Sequence, residues 1–308
     1  MNLSRENAGR RSERAISVKS GYVMNEGLAL SYLEWGAQDG PAVVLSGPFR
    51  NAAYEWRHTA ELLEDKFRVI AVNLRGQGDS SPFPAREFNP DGYVQDLKAV
   101  VDELSAAPAV LVGFSVVVSG VAVAFAAAYP ELVKGIVLVD GGLGYSQEQA
   151  EAAGERARSM PSSFPDWDAA LLYFSQMIDQ SFASPEDIEE RAAYTFRRLP
   201  DGSVIWKSDS VLRECWPGEE FARNTGAQPA QVWEQVRCPI LVAKGASRNT
   251  TPKGREHLSV EGCEQIVKYG TGSSWVAVPN VTSHFVHEEN PAGFVDVIGP
   301  FLAKVHNV

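Results

Sequence analysis

From residue 41 onward, short apolar runs bounded by Gly, Pro and polar residues alternate with stretches whose apolar positions recur at helical spacing. Pro41–Gly47, Phe67–Leu74, Pro108–Phe114, Val133–Asp140, Pro239–Gly245 and Trp275–Val281 each have the length and β-branched content of a strand covered on both faces. Between and after them, helices are predicted at about 52–65, 92–105, 117–129, 253–268 and 291–304. Upstream, Tyr22–Asn25 and Leu28–Glu34 flank Glu26-Gly27, the signature of an antiparallel hairpin at a sheet edge. The pattern therefore predicts an α/β fold: a mostly parallel, eight-stranded sheet with helices on both faces.

The alternation stops between Asp140 and Cys238, where helical patterns occur without a strong buried strand. The segment Asp166–Met177 runs apolar at Trp167, Leu171, Phe174 and Ile178, and Ser184-Pro185-Glu186-Asp187 is a capping box with Pro at the first helical position. This region predicts a helical lid inserted after the sixth strand, over the carboxyl edge of the sheet. The division expected is a tail at 1–18, a core at 19–141 and 237–308, and a lid at 142–236. Most of the lid's large apolar residues should form its own small core, with a minority facing a ligand.

Composition narrows the function. A formal net charge of −11 disfavours nucleic acid and anionic membranes as partners and favours a small neutral, largely apolar molecule. Three cysteines, Cys215, Cys238 and Cys263, show neither a disulfide framework nor metal-site spacing. No apolar run approaches the roughly 18 residues of a membrane span, and residues 1–18 lack the apolar centre of a secretory signal. A cytoplasmic location is expected, with an organellar transit segment as the lesser reading. No residue pattern fixes the oligomeric state, although an exposed apolar patch on the lid would suit a homo-oligomer.

In open α/β sheets the chemistry lies beyond the carboxyl ends of the strands. Ser115, in Gly113-Phe114-Ser115-Val116-Val117, follows the fifth strand, where a sharp strand-to-helix turn would expose its hydroxyl and aim the next N–H at a developing oxyanion. Gly113 meets the small-residue requirement before the serine, whereas Val117 occupies the position where Gly is usual. A serine nucleophile needs a base. His58 and His257 fall within helix candidates and His306 in the C-terminal tail, while His284 and His287 follow the last strand. Position favours His284, with His287 in reserve. The carboxylate that orients the base is expected at a neighbouring strand end. After Pro239–Gly245 no Asp or Glu occurs through Pro252, which leaves Asp140, at the end of the sixth strand. An Asp there could instead cap a turn.

The set SGPFRNAAYEW, NLRGQGDSS, GFSVV, VLVDGG and SHFVHEENP resembles the α/β-hydrolase family in its lid-bearing branch, over about residues 21 to 305. The order Ser115, Asp140, His284 agrees with that family. Departures include Ser46-Gly47 where His-Gly is usual, and Asn73 where Asp is common, here assigned a structural role. Pro48 has no N–H, so the resemblance places the oxyanion donors at Phe49 and Val116. An acid after the sixth strand is similar to lactonases that open the macrolactone zearalenone. The substrate pocket is assigned to Pro48 and Tyr54 from the core and to Phe174, Trp206 and Trp216 from the lid.

The function expected is hydrolysis of an ester or lactone of a bulky apolar molecule through an acyl-enzyme. Carbon–carbon hydrolysis and thioester hydrolysis use similar groups, and a non-catalytic binding module of the same fold is the rival from another class. Epoxide hydrolases and haloalkane dehalogenases resemble the architecture but attack with Asp where Ser115 stands. No dinucleotide-binding signature or metal-ligand cluster is visible, so neither a cofactor nor a metal is expected.

Overall fold

The computed structural model describes residues 18–47, 53–84, 89–144, 147–177, 183–214, 228–246 and 258–308; the segment assigned as a tail lies outside these except for Val18. β1 (Lys19–Asn25) and β2 (Leu28–Trp35) pair antiparallel across Glu26 and Gly27, whose φ values of 49° and 86° give the left-handed turn that matches strand twist. Then follow β3 (Ala42–Ser46), α1 (Arg57–Leu63), β4 (Arg68–Val72), α2 (Pro90–Glu103), β5 (Ala109–Phe114), α3 (Ser115–Ala128) and β6 (Val133–Val139). The strand order of the eight-stranded sheet is β1-β2-β4-β3-β5-β6-β10-β11, with β10 at Ile240–Gly245 and β11 at Ser274–Val278. β1, β2 and β4 meet antiparallel, and the other pairings are parallel.

Central strands buried at every position explain the near-continuous apolar runs. Alternate side chains serve two cores. Val44, Ile70, Leu111 and Leu138 pack with Leu97 of α2 and Val121 of α3, whereas Val43, Val69, Val112 and Val137 pack with Ala60 of α1 and the C-terminal helix. Trp56 and Phe294 fill the second core.

Between β6 and β10 the chain leaves the sheet through α4 (Gln147–Ser159), β7 (Ser163–Phe164), α5 (Trp167–Met177), α6 (Pro185–Thr195), β8 (Phe196–Arg198), β9 (Val204–Trp206), α7 (Val211–Glu214) and α8 (Ala230–Trp233). The capping box at Ser184 and Asp187 is present at the start of α6. The insertion is not purely helical, because β7-β9-β8 form a small antiparallel sheet. Strands of two or three residues are too short to give a period-two signal. The insertion is tied to the loops at the strand ends by Lys207–Asp79 at 2.7 Å, Arg191–Glu288 at 2.8 Å and the Asp209 N–H to Gly76 O bond at 2.8 Å.

The core closes with α9 (Val260–Ile266), α10 (Val286–Glu289) and α11 (Pro291–His306). His306, expected in a tail, ends α11 and is buried. Among the described residues no helix is long and apolar enough to cross a membrane.

Candidate active site

Ser115 joins the end of central strand β5 to the first turn of α3 with φ +66°, a left-handed conformation that costs a non-glycine residue about 1–3 kcal/mol. Such a bend lifts the side chain out of the helix and leaves it half-buried above the sheet. Two glycines make room for it. A Cβ on Gly113 would meet Val118 O at 2.8 Å, and one on Gly141 would meet the Ser115 carbonyl carbon at 2.5 Å. Val117, at the position where glycine was expected, is buried in the same core cluster as Leu138 and Ala122. Its methyl groups therefore pack as core rather than obstructing the turn.

Asp140 follows β6, the neighbour of β5, and is 1% exposed with φ +45°. The His284 segment comes from the edge of the sheet, after β11, and crosses β10. Gly245 at the end of β10 permits that crossing, because its Cβ would lie 3.0 Å from Val281 Cγ1. The three side chains meet there. His284 Nδ1 lies 2.7 Å from Asp140 Oδ2, and His284 Nε2 lies 3.0 Å from Ser115 Oγ. The Phe114 ring, 4.7 Å from the imidazole between centroids, packs against it.

The histidine segment is held from behind by Glu289. Its carboxylate accepts from Thr282 N–H at 2.9 Å, Thr282 Oγ1 at 2.9 Å and Ser283 N–H at 2.7 Å. Burial pushes this carboxyl up, but the bonds from Ser283 and Thr282 outweigh it and leave the group below its ordinary value. Asn290 anchors the next step, donating to Pro279 O at 2.8 Å and capping α11 through Gly293 N–H at 2.9 Å. The sequence names neither residue as a positioning group, although the Asn290-Pro291 helix start was the available signal.

Other nominated residues are dispersed. His287 points away from Ser115 into the interior, stacked on Trp56 at 3.9 Å. Val116 stands at the start of α3, where backbone N–H groups have no intrahelical acceptor. Phe49, Pro48 and Trp216 lie outside the described residues. Tyr54 stacks on Tyr194 of the insertion at 4.0 Å and donates to Glu190 at 2.8 Å, so it joins core to insertion. Phe174 and Trp206 are buried in the insertion's own core with Phe164 and Phe196, and Trp206 Nε1 donates to Pro161 O at 2.8 Å. Both pack within the insertion, where Trp206 also borders a cleft with Met160 and Leu212, and the aromatic content of a segment does not by itself distinguish core from pocket lining. Asn73 has the structural role expected: it accepts from Ala53 N–H at 2.7 Å and donates to Ser31 Oγ at 2.9 Å.

A serine on a strained strand-to-helix turn, hydrogen-bonded to a histidine that is itself bonded to a buried aspartate, all at the carboxyl edge of a mostly parallel sheet, is the arrangement of α/β-hydrolases. The chain belongs to the alpha/beta hydrolase family, whose pattern it matches over residues 42–297. It is 23% identical over 279 residues to the esterase Rv0045c of Mycobacterium tuberculosis, covering 88% of this chain and 85% of that protein. Epoxide hydrolase 4 of Mus musculus is 28% identical over 121 residues, which is 38% of this chain and 33% of that protein, so the match spans about a third of that relative. Among solved structures, E-2-(acetamidomethylene)succinate hydrolase superposes with a TM-score of 0.75 at 24% identity, covering 93% of this chain and 99% of the other. This chain is thus a member of that family with an esterase among its relatives.

Proposed function

We propose that the protein hydrolyses a carboxylic ester or lactone through an acyl-enzyme, with Ser115 as nucleophile, His284 as general base and acid, and Asp140 as the orienting carboxylate. The observation that carries the reading is the continuous Asp140–His284–Ser115 relay, at 2.7 and 3.0 Å. In the first step His284 Nε2 takes the Ser115 hydroxyl proton as Oγ attacks the substrate carbonyl, and Asp140 stabilises the imidazolium. The Val116 N–H, with that of Phe49, receives the oxyanion. Collapse of the tetrahedral intermediate breaks the carbonyl–oxygen bond, and His284 protonates the departing alkoxide. In a lactone that alkoxide stays tethered. Water activated by His284 then releases the acid and restores Ser115.

The insertion serves as the lid, seated on the strand-end loops through Asp79, Gly76 and Glu288. A net charge of −11 favours neutral over anionic substrates. Macrolactones of the zearalenone kind are the finer proposal, resting on an acid that follows the sixth strand. The protein is placed in the cytoplasm, without a cofactor for the hydrolytic step. The test is a panel of neutral esters, lactones, thioesters and carbon–carbon hydrolase substrates assayed with wild type and Ser115→Ala. Serine-dependent turnover of esters or lactones is expected. Turnover confined to carbon–carbon substrates, or equal rates in the variant, would overturn the assignment.

A further inference from the structure

Behind the triad lies a second group of functional side chains that the proposed hydrolysis does not use. Glu55, His287 and Glu288 are all buried, and each offers a ligand atom within 4.8 Å of the others. His287 Nε2 lies 3.5 Å from Glu55 Oε1 and 4.0 Å from Glu288 Oε1. Its side chain is wholly buried, and neither ring nitrogen has a hydrogen-bond partner. Its Nε2 is therefore directed toward two carboxylates without closing a hydrogen bond to either.

We propose that Glu55, His287 and Glu288 form a binding site for a first-row transition-metal dication, of which Zn2+ and Co2+ are the test cases. One imidazole and two carboxylates make the mixed nitrogen and oxygen set that suits such ions. Ligands about 2.1 Å from a tetrahedral ion stand about 3.4 Å apart. The Glu55–His287 separation already meets that value, the His287–Glu288 pair must close by about 0.6 Å, and no pair exceeds 4.8 Å.

Arg191 Nη2 donates to Glu288 Oε1 at 2.8 Å. A cleft between α1 and α6 is lined by Tyr54, Arg57, Asp187 and Arg191 together with Glu55 and Glu288.

The ion would act structurally on the candidate active site. His287 and Glu288 belong to α10, which starts two residues after His284, while Glu55 belongs to the 3-10 turn Ala53–Trp56. The Phe114 ring touches both imidazoles, at 4.7 Å from His284 and 4.6 Å from His287. An ion joining Glu55 to α10 would hold the floor beneath His284 fixed.

The experiment is titration of the chelator-treated full-length protein with Co2+, followed by visible d–d absorption, and with Zn2+, followed by calorimetry and thermal melting. Wild type, His284→Ala, Glu55→Gln, Glu288→Gln and the double carboxamide variant are compared, each verified as folded by circular dichroism. One equivalent is expected to bind wild type and His284→Ala alike, with affinity at least tenfold weaker in each carboxamide variant. A Zn2+-dependent rise in Tm of a few degrees should vanish in the double variant. Unchanged binding in the carboxamide variants, or its loss in His284→Ala, would overturn the site. Folded wild type that takes up no stoichiometric Co2+ would overturn it without any variant.

Discussion

Replacing Asp140 by asparagine probes the proposed mechanism at its least exposed member. The change keeps the size of the side chain but removes the charge 2.7 Å from His284 Nδ1, at a residue 1% exposed. At that separation, with an effective dielectric near 20, an imidazolium–carboxylate pair is worth about 6 kcal/mol. Each 1.4 kcal/mol of barrier is about a factor of ten in rate, so complete loss would slow acylation by about four powers of ten. Asparagine retains part of the hydrogen bonding while favouring the wrong imidazole tautomer, and a fall in kcat of about 10³- to 10⁴-fold is expected. Steady-state hydrolysis of an activated neutral ester, with circular dichroism to verify folding, measures it. KM should change little, because Asp140 faces the histidine rather than the substrate. A loss below tenfold in a folded variant would refute the role, as would a thousandfold loss in Glu234→Gln, which alters the residue that caps α8.

Ser115→Gly should abolish turnover yet raise Tm, because glycine relieves a φ of +66° that costs serine about 1 kcal/mol or more; an unchanged or lower Tm would argue against strain at the turn. Val117→Gly should destabilise by about 2–4 kcal/mol in a urea melt, from lost core packing and helix propensity, without raising kcat; a faster enzyme would show that the valine obstructs the turn. Glu289→Gln should lower kcat more than it changes KM, since the carboxylate positions the His284 segment, and equal kcat would remove that role. Its folded pKa lies below the unfolded one, so its stabilisation is present above about pH 4.5 and fades as pH falls through the folded value. Wild type should accordingly lose more Tm than Glu289→Gln as pH falls below about 4.5.

The core strands were legible because double burial demands continuous apolar runs, and each predicted run overlaps an observed strand, as with Pro108–Phe114 and β5 at Ala109–Phe114. The meeting of Ser115, Asp140 and His284 was legible for a related reason. Parallel strands deliver their ends to one edge, and the absence of an acid from Gly245 through Pro252 left Asp140. Packing roles were harder to see. Phe174 and Trp206 have the composition of a pocket and the surroundings of a core, and only three-dimensional neighbours separate the two. Tyr54 became a seam residue because its partner, Tyr194, lies far along the chain. The Glu55–His287–Glu288 cluster escaped for the same reason: its members come from opposite ends of the sequence and carry no ligand spacing.

Central to the account is an activated Ser115, and intact mass after exposure to a fluorophosphonate measures it most directly. The account predicts one covalent adduct on wild type, none on Ser115→Ala, and slowed labelling in Asp140→Asn. Folded wild type that remains unlabelled, or an adduct that persists in Ser115→Ala, would contradict it.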